Sequence, residues 1–116
     1  MWLCTNKGFL SIVDKAADPN CLMVRARVKA HLQAIFPGAK IQRTEGNDYL
    51  FRAEIARGEV AARVAESIME IDYNNFKASV PDKKLHDAYM GVWSVMGRLQ
   101  PGGPYSRGVR KSGGLF

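Results

Sequence analysis

Cysteine is scarce. Cys4 and Cys21 are the only two in 116 residues, far too few for a disulfide scaffold. No apolar run reaches the ~20 residues that a membrane-spanning helix needs. The opening Met1-Trp2-Leu3-Cys4-Thr5-Asn6-Lys7 lacks the basic region, apolar stretch and small-residue cleavage site of a signal peptide. We therefore expect a cytoplasmic protein with reduced thiols and no membrane partner. Signatures of catalysis are as sparse. There is no glycine-rich phosphate loop and no paired-cysteine metal motif, and His31 and His86 are not at ligand spacing. The expectation is a chain that is not an enzyme and uses neither metal nor cofactor.

What is present is enough apolar sequence for a core. Hydrophobic residues make up 47% of the chain, which is too apolar for disorder and sufficient to fold without disulfides or metal. The net charge of +6 is unevenly placed. From Gly97 to Phe116 come Arg98, Arg107, Arg110 and Lys111 with no acid, whereas residues 1–96 hold 13 basic and 11 acidic groups. We read 1–99 as one α+β domain and 100–116 as a basic, Gly/Pro-rich tail. Such a tail is drawn weakly to polyanions by counterion release, although solubility alone also accounts for it.

Hydrophobic periodicity outlines the domain. Trp2 to Val13 reads as one long strand with an irregularity at Asn6-Lys7-Gly8, or as two short strands there. Cys21 to Arg27 alternates cleanly, with Leu22, Val24 and Ala26 on one side and Met23, Arg25 and Arg27 on the other. Val28 to Phe36 takes helical spacing and stops at Pro37-Gly38. Ala39–Thr44 and Tyr49–Ile55 form a second hairpin around Glu45-Gly46-Asn47-Asp48, with Tyr49, Phe51, Ala53 and Ile55 on one face. A helix opening at Arg57 carries the stripe Val60, Val64, Ile68 and Ile71. Asp82 is placed to cap a last helix, Lys83 to Leu99. The order ββαββαα predicts a two-layer α+β sandwich. Its sheet is antiparallel and four-stranded, with helices on one face and a general shape close to ferredoxin-like.

Few residues offer chemistry. Cys4, Cys21 and His31 supply a thiol–imidazole pair by residue type alone, and buried thiols acting as small hydrophobes explain the cysteines more simply. Glu66 and Glu70 lie one turn apart and could share a divalent ion, but a solvated face with Glu66 turned to Arg63 suffices. Asp72-Tyr73-Asn74-Asn75-Phe76-Lys77 reads as a bend supporting the core, with a binding loop as the alternative. The sheet face away from the helices stands out. It holds Arg25 and Arg27, with Arg52 on another strand and Lys40 joining if its register permits. Several arginines on one face suit acidic protein surfaces or phosphates, because guanidinium makes forked contacts. The sequence places no row of exposed aromatics there for stacking bases. With Arg107, Arg110 and Lys111 of the tail, these residues are the candidate partner-binding set.

Several strings carry a resemblance. Met1-Trp2-Leu3 with Gly8-Phe9-Leu10-Ser11-Ile12-Val13, then Leu22 to Arg27, Ile71 to Lys77 and His86 to Ser94, resemble a family of small uncharacterised proteins from bacteria and their mobile elements. The match spans about residues 1–99 and leaves out the tail. The resemblance implies a context rather than a mechanism: small phage-type proteins that mask a surface on a host nucleic-acid-handling complex, anti-CRISPR inhibitors among them. The functional expectation is thus a non-catalytic binding protein whose partner is a host protein or ribonucleoprotein. The alternatives are a direct nucleic-acid binder using the basic face and tail, and a small enzyme depending on Cys4, His31 or His86. The oligomeric state is left open by an edge strand free to pair with a second copy.

Overall fold

Thr5-Asn6-Lys7-Gly8 makes a tight turn rather than an irregularity within one strand. The Thr5 hydroxyl accepts from the N–H groups of Lys7 and Gly8, at 3.2 and 3.1 Å, and donates to the Gly8 carbonyl at 2.9 Å. The chain therefore reverses, and the first segment becomes two strands, β1 (Trp2–Thr5) and β2 (Gly8–Val13). The computed structural model describes residues 1–102. These divide into two compact units, one ending at Pro81 and one beginning at Asp82.

In the first unit, β3 (Cys21–Ala26) follows the β2 hairpin and leads into α1 (Lys29–Ile35). Next come β4 (Gln42–Arg43), β5 (Phe51–Ala56) and α2 (Arg57–Met69). The sheet has five strands in the order β1-β2-β3-β5-β4, every neighbouring pair antiparallel. This corrects the four-stranded expectation, while the α+β class and the antiparallel sheet stand. Because β5 is antiparallel to both β3 and β4, those two run parallel. The segment β3–α1–β4 is thus a crossover with β5 inserted between its strands. The second hairpin pairs less than its alternation suggests, since β4 is only two residues long. Its loop turns at Gly46, where φ is +82°, a conformation that L side chains rarely adopt.

The core forms where α1 and α2 cover one sheet face. Leu10, Ile12, Val24, Ala26, Ala53 and Ile55 meet Leu32, Ile35, Phe36 and Val60. Helix α1 is too short to persist alone, so its packing holds it. It sits close enough to β2 that only glycine fits at position 8: a Cβ there would lie 2.6 Å from the Cβ of His31. Arg63 of α2 donates from Nε to the Ile35 carbonyl at 2.8 Å, satisfying the end of α1. The α2 stripe is buried only in its first half. Val60 is buried and Val64 packs on the core, but Ile68 and Ile71 are exposed.

The second unit holds α3 (Lys83–Met96), followed by a 3-10 turn, Gly97–Leu99, so the regular helix ends three residues before the expected Leu99. Asp82 is its N-cap, accepting from the Leu85 N–H at 2.9 Å. No helix among the described residues is long and apolar enough to cross a membrane.

Candidate functional site

Period-two alternation sends every second residue of the five strands to the face that α1 and α2 leave open. One row crosses the sheet there as Trp2, Ser11, Arg25, Arg52 and Gln42, each opposite the next. A second row runs Val13, Met23 and Glu54. Cys4 and Phe9 share the face beside the first row.

The arginines differ in what holds them. Arg25 is half-buried. Its Nη2 donates to the hydroxyl of Ser11 at 2.7 Å, and Ser11 is itself only 1% exposed. The Nε of Arg25 is buried and has no hydrogen-bond partner among the described residues. Arg52 donates from Nε to the Thr44 hydroxyl at 3.1 Å and from Nη2 to the Tyr49 carbonyl at 3.4 Å. It braces the β4–β5 loop. Arg27 is exposed and makes one described side-chain contact, with the Tyr49 ring, whose centroid lies 4.2 Å from the guanidinium carbon. The same ring lies 4.6 Å from the guanidinium of Arg25. Cation–π contacts of this kind contribute about 0.5–2 kcal/mol each, more when desolvated.

Tyr49 therefore sits with the arginines, contrary to its expected place beside Phe51 on the helix side. It precedes β5, so the strand's alternation does not govern it, and it is buried at 4% exposure. Where no row of exposed aromatics was expected, the face carries one exposed aromatic and a half-buried neighbour. Trp2 is 69% exposed and meets Phe9 edge-on at 5.8 Å on this same face. Neither was assigned a face from sequence, because the turn at Asn6-Lys7 carries no glycine to announce a two-residue hairpin. Lys40 is exposed in the segment before β4, and no described contact joins it to the arginines. Arg107, Arg110 and Lys111 lie outside the described residues.

The groups considered for catalysis have the following surroundings. His31 Nδ1 accepts the Phe9 N–H at 3.2 Å, which fixes its proton on Nε2 and anchors α1 to β2. The two cysteines sit at opposite ends of the sheet, and neither is buried: Cys4 is exposed and Cys21 half-exposed. Both thiols are pushed above their ordinary pKa by loss of solvation, Cys21 also by Asp18 and Glu54. A raised pKa disfavours the thiolate and so works against nucleophilic use. His86 Nδ1 lies 3.1 Å from Asp87, which also accepts from Lys83 at 2.9 Å. These partners hold the Asp87 carboxyl below its usual range, Lys83 contributing most. Glu66 is paired with Arg63 at 2.6 Å. No cluster of three His, Cys, Asp or Glu among the described residues could hold a metal ion. Tyr73 and Phe76, half-buried, pack on each other at 5.7 Å, and Asn75 Oδ1 accepts from the Ala78 N–H to start a 3-10 turn.

A cleft of about 450 Å³ opens on the other side of β1, toward the C-terminal half of α2, lined by Leu3, Val64, Ile68, Ile71 and Tyr73 among others. Its charges at Lys7 and Glu70 are paired at 3.8 Å. No protein family, curated protein or solved structure was found to match the chain.

Proposed function

We propose that this chain is a non-catalytic binding protein that uses its open sheet face to cover an acidic site on a larger protein or ribonucleoprotein complex. The observation that carries the reading is Arg27. Its guanidinium is held against a buried tyrosine ring while its N–H donors are unspent among the described contacts. A stacked arginine of this kind has already lost much of its rotamer freedom, so a carboxylate or phosphate meets a pre-oriented fork. Exposed Trp2 at the end of the arginine row completes a tryptophan, tyrosine and arginine set, the residues that dominate interface energetics. A CRISPR effector is the first partner to try, on the resemblance of the sequence alone.

A second reading has its own support. Trp2 and Phe9 on a basic face could stack the bases of a single strand, which would make the protein a direct nucleic-acid binder. One experiment separates the two. The tagged chain and its Arg27→Glu variant are used to capture material from bacterial lysate containing a CRISPR effector, with and without nuclease. A defined protein complex retained after nuclease and reduced at least ~10-fold by Arg27→Glu is the expected result, since a stacked arginine fork carries 1.4 kcal/mol or more. Capture that disappears with nuclease establishes the second reading. Equal capture by the variant removes the face from consideration.

A further inference from the structure

We propose that two copies of this chain pair edge to edge through β1, joining their sheets into one continuous sheet. Main-chain hydrogen bonds set the phase. Met1 and Ile12 exchange both of theirs, at 2.8 Å each. In an antiparallel pair such bonded positions alternate with unbonded ones. Carried along the register, Leu3 with Leu10 and Thr5 with Gly8 are the bonded pairs. The N–H and C=O groups of Trp2 and Cys4 therefore point outward along the free edge, where no described strand meets them.

The two edges of the sheet are built differently. The β4 edge is two residues long, Gln42 and Arg43, both exposed, with exposed Lys40 just before it. Shortness and charge are the usual devices that keep an edge from pairing. The β1 edge, Trp2-Leu3-Cys4-Thr5, is longer and carries no charge and no proline. Its nearest charged side chain, Lys7, lies in the turn that follows and is paired with Glu70.

A second copy is the occupant that this edge fits. With a two-fold axis at Leu3, Trp2 faces Cys4 of the second copy and Cys4 faces its Trp2. Each of these pairs exchanges two main-chain hydrogen bonds. Self-pairing brings no like charges together. It also places exposed Trp2, whose ring meets the Phe9 ring edge-on, against the second copy. Directly opposed residues share a face, so both arginine faces lie on the same side of the joined sheet. A strand edge this short covers well under the roughly 800 Å² per partner of a standard interface, so the self-association is a weak, concentration-dependent one.

Sedimentation of the full chain from about 10 μM to 1 mM should show the mean mass rising toward twice 12.9 kDa, across the concentration range set by an interface of this size. Over the same range the Trp2 and Cys4 amides should gain protection from hydrogen exchange, while those of Leu3 and Thr5 stay as they are. Cys4→Pro removes an outward N–H at an edge position where proline is tolerated. Trp2→Lys with Cys4→Lys sets like charges opposite one another across the axis. Both variants should keep the unfolding midpoint of the parent and remain monomeric; if the proline variant does not fold, the lysine pair decides. A parent chain that is monomeric throughout overturns the proposal. So does self-association that the lysine pair leaves intact, or that leaves Trp2 and Cys4 exchange unchanged.

Discussion

On the covered face of the sheet, Leu10, Val24 and Ala26 have no exposed surface. One residue along each strand, on the open face, Ser11 and Arg25 are joined by a hydrogen bond and Arg25 is only half-buried. The covered face is closed by apolar contact with two helices, whereas on the other face the described contacts are polar and cation–π, Arg25 reaching the Ser11 hydroxyl and both Arg25 and Arg27 the Tyr49 ring. The difference shows that the two faces of one sheet can be ordered by different kinds of contact, and that neighbouring arginines on one face can have unequal duties.

Substitutions can break or sharpen this contrast. The largest effect is expected on the covered side. Leu32→Ala should remove about 2–5 kcal/mol from the unfolding free energy in urea, because a fully buried side chain leaves a cavity. Gly8→Ala comes next, at about 1–3 kcal/mol, since its methyl would meet the Cα and Cβ of His31 under 3 Å and push α1 off β2. On the open side, Arg25→Ala should cost about 1–2 kcal/mol through lost packing and a stranded Ser11 hydroxyl, whereas Arg27→Ala should cost only the low end of an exposed cation–π contact, about 0.5 kcal/mol. Equal losses for the two arginines would erase the distinction drawn between them. This is also why Arg27→Glu alone probes binding: reversing Arg25 as well would disturb the fold around Ser11 and Tyr49.

The smallest effect concerns the thiols, both on the open face. With their pKa raised, Cys4 and Cys21 hold less thiolate at neutral pH than an ordinary cysteine. Alkylation by iodoacetamide should therefore run slower than for a free cysteine, and its rate should keep climbing above the pH at which the free thiol levels off. Rates matching the free amino acid would mean that the face is more open than described.

Much of this arrangement was legible in the sequence where alternation is uninterrupted. Cys21 to Ala26 declares both the covered side, at Val24 and Ala26, and the open side, at Arg25. Asp82 announced its helix because a cap is a local hydrogen bond. The readings that failed depended on non-local geometry. Tyr49 breaks the alternation of β5 because it belongs to the preceding loop, and only the Arg25 and Arg27 contacts reveal its side. Trp2 acquired a face only once Asn6-Lys7 proved to be a turn. The α2 periodicity at Ile68 and Ile71 is real, but the core ends at Val64 and leaves those residues exposed. No alternation rule could have separated the bound Arg25 from the available Arg27.

The insertion of β5 between β3 and β4 also sets an order in time. As the chain leaves the ribosome, β1, β2 and β3 can pair by short local closures, and α1 can settle on them. The neighbour of β4 does not exist until Phe51–Ala56 emerge, so β3 has one unpaired side until then. Those same six residues bring Ala53 and Ile55 to the core and Arg52 to the open face. A nascent chain stalled before them would expose an apolar layer and an unpaired strand together, the state in which such proteins aggregate. The step that seals the core is thus also the step that completes the arginine row.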